Sequence, residues 1–239
     1  MFKSAWTVAK VNLKNLTMPY WVTGGLAIAI TIQILINVLV IVLSSNNVSM
    51  EGNSTISAGC FLFLLIPMTA WRLSGRHYRR LINLGGQRRD FLWGSLATIG
   101  ILAAGVSLVN IVCYYAMDMP INQAERFPGI INLLTVFGWI NNGAIVAFFQ
   151  QFVFLVLIGV FCFTLGSCQD KWYGWVADGL VISIISVFTP IEPLRAIEGA
   201  FFYLLIFEPR AWLQIIACLL ISAVLYAIAI PIYNRKELN

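Results

Sequence analysis

The sequence has 239 residues, of which 60% are hydrophobic and 10% charged, with a net charge of +5 and a mean hydropathy of +0.85. A soluble domain carries about 25% charged residues, so this chain cannot clothe a water-facing surface with them. It reads as an integral membrane protein, and the composition excludes a disordered tail, a coiled coil and a disulfide-stapled secreted scaffold.

The first 20 residues carry a helical repeat. Phe2, Trp6, Ala9, Leu13 and Leu16 recur at spacings of four and three, with Lys3, Thr7, Lys10, Lys14 and Thr17 on the neighbouring face. The pattern predicts an interfacial helix with Trp6 buried in the membrane surface and its lysines at anionic headgroups. Plain orienting charge is the competing reading. Met18-Pro19 is the expected end of this helix, because proline removes a donor and restricts the residue before it. The apolar run that follows is too long for a cleavable signal, and no small-residue cleavage site follows it.

A helix needs about 20 apolar residues to cross the hydrocarbon. Runs 21–43, 91–115, 142–165 and 212–232 meet that length, and 56–71 and 174–190 are shorter but bounded by polar segments. The expected fold is an all-α membrane protein, one transmembrane domain over 1–239 with six spans. Residues 130–140 either extend the fourth span or lie flat before it. Twelve of the 15 Lys and Arg fall in 1–20, 72–90, 166–173 and 233–239, and Arg126, Arg195 and Arg210 fall in the other connections. The positive-inside rule then puts both termini and the 72–90 loop in the cytoplasm, in a multi-pass protein of the cell membrane. Glu51, Asp118, Glu125, Glu192, Glu198 and Glu208 fall in the outer loops on this reading.

The 72–90 loop holds six arginines in 19 residues, more than orientation requires. Tyr78, Leu81 and Ile82 stand at i, i+3 and i+4, which predicts a short amphipathic helix over about 74–84. Gly85-Gly86 is its stop signal, and Arg88 and Arg89 open the next span. A short helix between two spans, carrying Arg76, Arg79 and Arg80, has the shape of a plug for a partner's groove. A solvated basic loop resting on lipid is the alternative.

Between the fifth and sixth spans, 191–212 brackets the apolar run Ala200–Phe207 with Pro193 and Pro209. Eight residues cannot cross, so a short helix dipping into the outer leaflet is expected, an external cap of Glu192, Arg195 and Glu198 at i, i+3 spacing with Phe201 and Phe202. A plain interfacial loop competes with it. Asp178 is the one ionisable residue inside a span, and its place at the helix start favours a structural role. Gln33 and Asn37 share a face of the first span, and with Asn110, Gln150 and Gln151 they either bond between helices or line a path.

Cys60, Cys113, Cys162, Cys168 and Cys218 form no CxxC and read as small buried hydrophobes. His77 has no second ligand at metal spacing. No phosphate-cradling, metalloprotease or serine-nucleophile motif is present, so no catalytic, cofactor or metal site is expected in this chain.

The spans, the interfacial first helix, and the string Gly85, Arg88, Arg89, Phe91, Gly94 after the second span together resemble the type-2 permease family of ABC exporters. The resemblance implies that the 72–90 helix couples the spans to a separate nucleotide-binding subunit. That ATPase would bind ATP and magnesium, and a second permease copy or a paralogue would complete the path. It also implies short external helices before the last span, a lipid environment, and no nucleic-acid partner. Peptides, antibiotics or amphipathic molecules are the implied cargo, moved outward by alternating access. A transporter or channel working without an ATPase, or a membrane anchor, is the reading to set against it.

Overall fold

The computed structural model describes residues 2–43, 55–123, 129–169 and 172–235. Glu51, Glu125, Arg126, Lys171 and Lys236, which enter the charge asymmetry above, lie outside the described residues. The described chain is helical almost throughout, with one parallel pairing of two-residue strands, β1 (Thr55–Ile56) and β2 (Ile130–Ile131).

Helix α1 (Phe2–Asn15) gives way at Leu16 to α2 (Thr17–Leu43). Pro19 thus stands in the first turn of α2 and does not end α1. Proline is tolerated there because first-turn N–H groups have no intrahelical carbonyl to reach. α1 does not simply lie on lipid either. It packs along α6 (Arg88–Cys113) and buries Val8, Ala9, Asn12 and Leu16, while Trp6 is 50% exposed with the Lys10 ammonium 5.7 Å from its ring centre. The inward face is therefore rotated away from the stripe that Trp6 suggests. Gly94 on α6 makes the approach close: a β-carbon there would lie 2.6 Å from Val8 Cγ1.

The second apolar stretch runs through α3 (Ala58–Leu62), α4 (Leu65–Arg72), a π-helical turn at Leu73–His77 and α5 (Tyr78–Asn83). Its break at Phe63–Leu64 follows from Pro67, which has no N–H for the Phe63 carbonyl; the Ile66 N–H takes that carbonyl at 3.2 Å. No separate helix over 74–84 follows. Helical backbone runs unbroken from Leu65 to Asn83, widened only at the π-helical turn, so the basic segment is the tail of the spanning stretch. Helix α6 likewise continues through a π-helical turn, Tyr114–Asp118, into α7 (Met119–Gln123), with Pro120 just beyond the widened turn.

Residues 130–140 do not extend the fourth long helix. They form β2, α8 (Leu133–Val136) and a 3₁₀ turn at Trp139–Asn142, set off by Gly138 and Gly143 at φ 71° and 88°. Leu134 and Trp139 are fully buried. Then come α9 (Ala144–Cys168), α10 (Trp172–Phe188), α11 (Glu192–Phe202) with a π-helical extension Tyr203–Phe207, and α12 (Ala211–Asn234). Glu208, extended at ψ 120° before Pro209, ends that extension.

Among the described residues five helical stretches are long and apolar enough to cross a membrane: Thr17–Leu39, Ala58–Asn83, Arg88–Gln123, Ala144–Cys168 and Ala211–Asn234. The chain is a multi-pass membrane protein. α10 has 17 residues, about 26 Å at 1.5 Å per residue, short of the roughly 30 Å hydrocarbon core.

α9 is the hub, packed against α4, α6 and α12. Gly159 lets it close on its neighbours, since a β-carbon there would sit 2.5 Å from Ile99 and 3.0 Å from Ile66. Dispersion contacts and small residues, not water exclusion, hold helices together in lipid.

Candidate functional site

The arginine-rich hairpin between α4 and α6 is built on an aromatic cluster. Tyr78, Phe91, Phe163 and Tyr233 are fully buried and Tyr226 nearly so. Tyr78 lies 5.1 Å from Phe91 and 4.7 Å from Tyr233, ring centre to ring centre, and Phe163 stacks on Tyr233 at 5.2 Å. Aromatic pairs of this kind contribute about 0.5–1.5 kcal/mol each beyond their burial.

Each polar tip in the cluster is satisfied across helices. The Tyr78 hydroxyl donates to the Tyr233 carbonyl at 3.3 Å, Tyr233 donates to the Ser74 carbonyl at 3.2 Å, and Tyr226 donates to the Leu92 carbonyl at 2.6 Å. The Arg88 guanidinium donates to the Tyr233 carbonyl at 3.3 Å and to the Asn234 carbonyl. A cation on the last carbonyls of α12 is favoured by the helix dipole. The hairpin is thereby fastened to α6, α9 and α12 at once.

The turn closes as Gly85-Gly86 foretells. Gly85 adopts φ 80°, its N–H reaches the Ile82 carbonyl at 2.9 Å, and the Gly86 N–H reaches the Leu81 carbonyl at 3.0 Å. These two bonds, with a left-handed residue between, form the Schellman motif that ends a helix.

The eight residues singled out in this segment divide into two sets. Tyr78 is buried and Arg88 half-buried, turned inward as fasteners, with Leu81 and Ile82 packed on the cluster's edge. Arg76, Arg79, Arg80 and Arg89 are exposed, and Leu84 at the tip is 80% exposed. The result is a rigidly mounted cationic knob with an apolar tip. His77 is half-buried among these arginines, and among the described residues no group of His, Cys, Asp or Glu has the spacing to hold a metal ion.

The opposite end carries a buried polar cluster that sequence reading misses. Asn132 Nδ2 faces three acceptors: Asp118 Oδ2 at 2.6 Å, Ser57 Oγ at 3.2 Å and Asn110 Oδ1 at 3.2 Å. Its own oxygen accepts from the Leu134 N–H at 2.9 Å and so caps α8. Asp118 is not in a solvated outer loop. It is 0% exposed, within the continuous helix, and its Oδ1 has no partner among the described residues. The hint in the sequence is the spread of short polar residues, Ser57, Asn110, Asp118 and Asn132, at the borders of apolar runs.

A second polar chain crosses from α9 to α12. Asn142 Nδ2 donates to Gln150 Oε1 at 3.1 Å, Gln150 Nε2 to Gln214 Oε1 at 2.6 Å, and Gln214 Nε2 to the Leu205 carbonyl at 2.9 Å. The Trp139 indole donates to the Ile206 carbonyl at 2.8 Å. The 139–142 turn and the 203–207 extension thus form a joined cap. Gln150 is the interhelical bond expected of it, whereas Gln151 is fully buried with neither amide atom paired among the described residues. The fully buried Ser107 hydroxyl is likewise unpaired.

The remaining expected residues are more peripheral. Glu192, Arg195, Phe201 and Phe202 are exposed on α11 and Glu198 is half-buried; it is Leu205, Ile206 and Phe207 that engage the cap. Gln33 is exposed and Asn37 half-buried on α2. Asp178 accepts from the Gln169 amide at 2.8 and 2.9 Å, a structural clasp between α9 and α10. No disulfide joins any of the five cysteines.

Compared with protein families, curated proteins and solved structures, the chain gives no match to any of them.

Proposed function

We propose that this chain is the membrane-embedded subunit of an ATP-driven exporter, with ATP hydrolysed by a separate subunit docked on the arginine hairpin. The reading rests on one observation above all. The hairpin turns four arginines and Leu84 outward while Tyr78 and Arg88 anchor it to α6, α9 and α12. A surface that is both presented and stiffly joined to the central helices is what transmission of an external stroke requires. α10 serves as the sixth span in a locally thinned bilayer, and both termini lie with the hairpin in the cytoplasm. A second copy or a paralogue completes the path, and an amphipathic or peptide cargo suits a chain with so few charges inside its helices.

The test is co-purification with a separate nucleotide-binding subunit from the native membrane. Arg79→Glu combined with Arg80→Glu should abolish the complex and the cargo-stimulated ATP turnover, with the thermal transition of the permease unchanged. An undiminished complex would refute the assignment.

One observation favours a second reading, a carrier that needs no ATPase. Asp118 is a fully buried carboxyl with an unpaired oxygen in a spanning stretch, and such groups mark ion and proton paths. Proton-driven uptake by the purified chain in vesicles, lost in Asp118→Asn, would establish that reading instead.

A further inference from the structure

We propose that the open groove between α10 and α12, at the arginine-rich end, is a binding site for one anionic phospholipid. It encloses about 840 Å³, and Val224, Ala227, Ile228, Pro231 and Ile232 form its α12 wall. Tyr173, in the first turn of α10, stands across from them, and Arg235 closes one end. This site does not depend on the transporter reading.

The order of chemistry along the groove selects the occupant. Arg235 is exposed just past the end of α12, and its level is marked by Trp172 and Trp175, 76% and 80% exposed at the start of α10. Outward-facing tryptophans sit at headgroup depth, so Arg235 stands where a lipid phosphate lies. Its planar guanidinium forks a phosphate with two parallel hydrogen bonds. From Val224 to Ile232 the wall is alkyl only, and it extends about 12 Å down the helix at 1.5 Å per residue, the depth of an acyl chain. A helix from a second copy would match the alkyl wall but leave the guanidinium unanswered. A zwitterionic lipid would bring its own cation against Arg235. Basic pockets between helices at the membrane surface are places where anionic headgroups are held.

The experiment is native mass spectrometry of the full chain, titrated with phosphatidylglycerol and with phosphatidylcholine of identical acyl chains. The parent should retain one phosphatidylglycerol in preference to phosphatidylcholine. Arg235→Gln should lower that retention about tenfold, the loss of a charge-assisted pair, without changing phosphatidylcholine. Arg235→Lys should keep most of it, and Ile228→Trp, which fills the groove, should expel the lipid. Glycerophosphoglycerol, the headgroup alone, should not compete. Equal retention of both lipids, full competition by the headgroup alone, or undiminished phosphatidylglycerol in Arg235→Gln would overturn the proposal. So would disulfide-linked dimers of Ile228→Cys in native membranes, which would put a second copy in the groove.

Discussion

Tyr78 and Tyr233, 155 positions apart, meet with ring centres 4.7 Å apart, and the hydroxyl of the first donates to the carbonyl of the second. The contact joins the tail of one spanning stretch to the last turn of another. Tyr78→Phe keeps the ring and forfeits the hydrogen bond, so thermal unfolding in detergent should register a loss of about 1 kcal/mol. Tyr78→Ala empties the centre of the cluster and should cost about 3–5 kcal/mol. Equal effects of the two variants would mean that packing there is slack.

The α1–α6 contact offers a swap test. Gly94→Val places a side chain where Val8 already stands, and overpacking of this sort costs about 1–3 kcal/mol. Val8→Ala in the same chain should relieve only part of it, because the β-carbon of residue 8 and the Ala5 carbonyl still lie 2.8 and 3.0 Å from a β-carbon at 94. A thermal-unfolding cycle that shows simple additivity would separate the two helices at this point.

At the opposite end, Asn132→Ala should be far worse than Asp118→Asn. The first leaves the buried Asn110 amide oxygen without its donor and takes one bond from the Asp118 carboxyl and one from the Ser57 hydroxyl, which keeps the Gly59 N–H at 3.3 Å; an unsatisfied buried group costs about 1–3 kcal/mol. The second replaces the carboxylate with a neutral isostere that still accepts from Asn132. Thermal unfolding of the two variants, and of Asn110→Leu for comparison, ranks them directly.

Gln151→Leu should raise stability, because it removes an unpaired amide from the interior at little change in volume. About 1–3 kcal/mol is the expected gain from eliminating such a group. A polar side chain kept at that expense marks a site where function opposes stability, so transport by this variant should fall while its unfolding temperature rises. A drop in both would make Gln151 a structural residue.

Composition alone conveys the membrane and the helices, because apolar runs of spanning length have few other uses. The Gly85-Gly86 stop is legible for a similar reason, since a left-handed residue after a helix is a local matter. What escapes sequence reading is set by partners far along the chain. Asp118 looks like a loop residue until Asn132 and Ser57, 14 and 61 positions away, are seen to enclose it. The 74–84 helix looks separate because charge interrupts the hydropathy, yet arginines on an outward face do not break backbone hydrogen bonds. Pro19 reads as an ending because proline blocks helices from within, whereas the first turn of α2 accommodates it. Among the arginines, only the fold tells Arg88, turned onto the end of α12, from Arg89, turned outward.

The direct measurement is a photo-crosslinker placed at Leu84, the exposed tip of the hairpin, in native membranes, with the adduct identified by mass spectrometry. Ile145, 75% exposed at the opposite end, is the control position. An adduct is expected between position 84 and a protein carrying a phosphate-binding loop, weakened by Arg79→Glu with Arg80→Glu, and none from position 145. A folded protein that yields no such adduct at 84, or yields it from 145 instead, contradicts the proposed function.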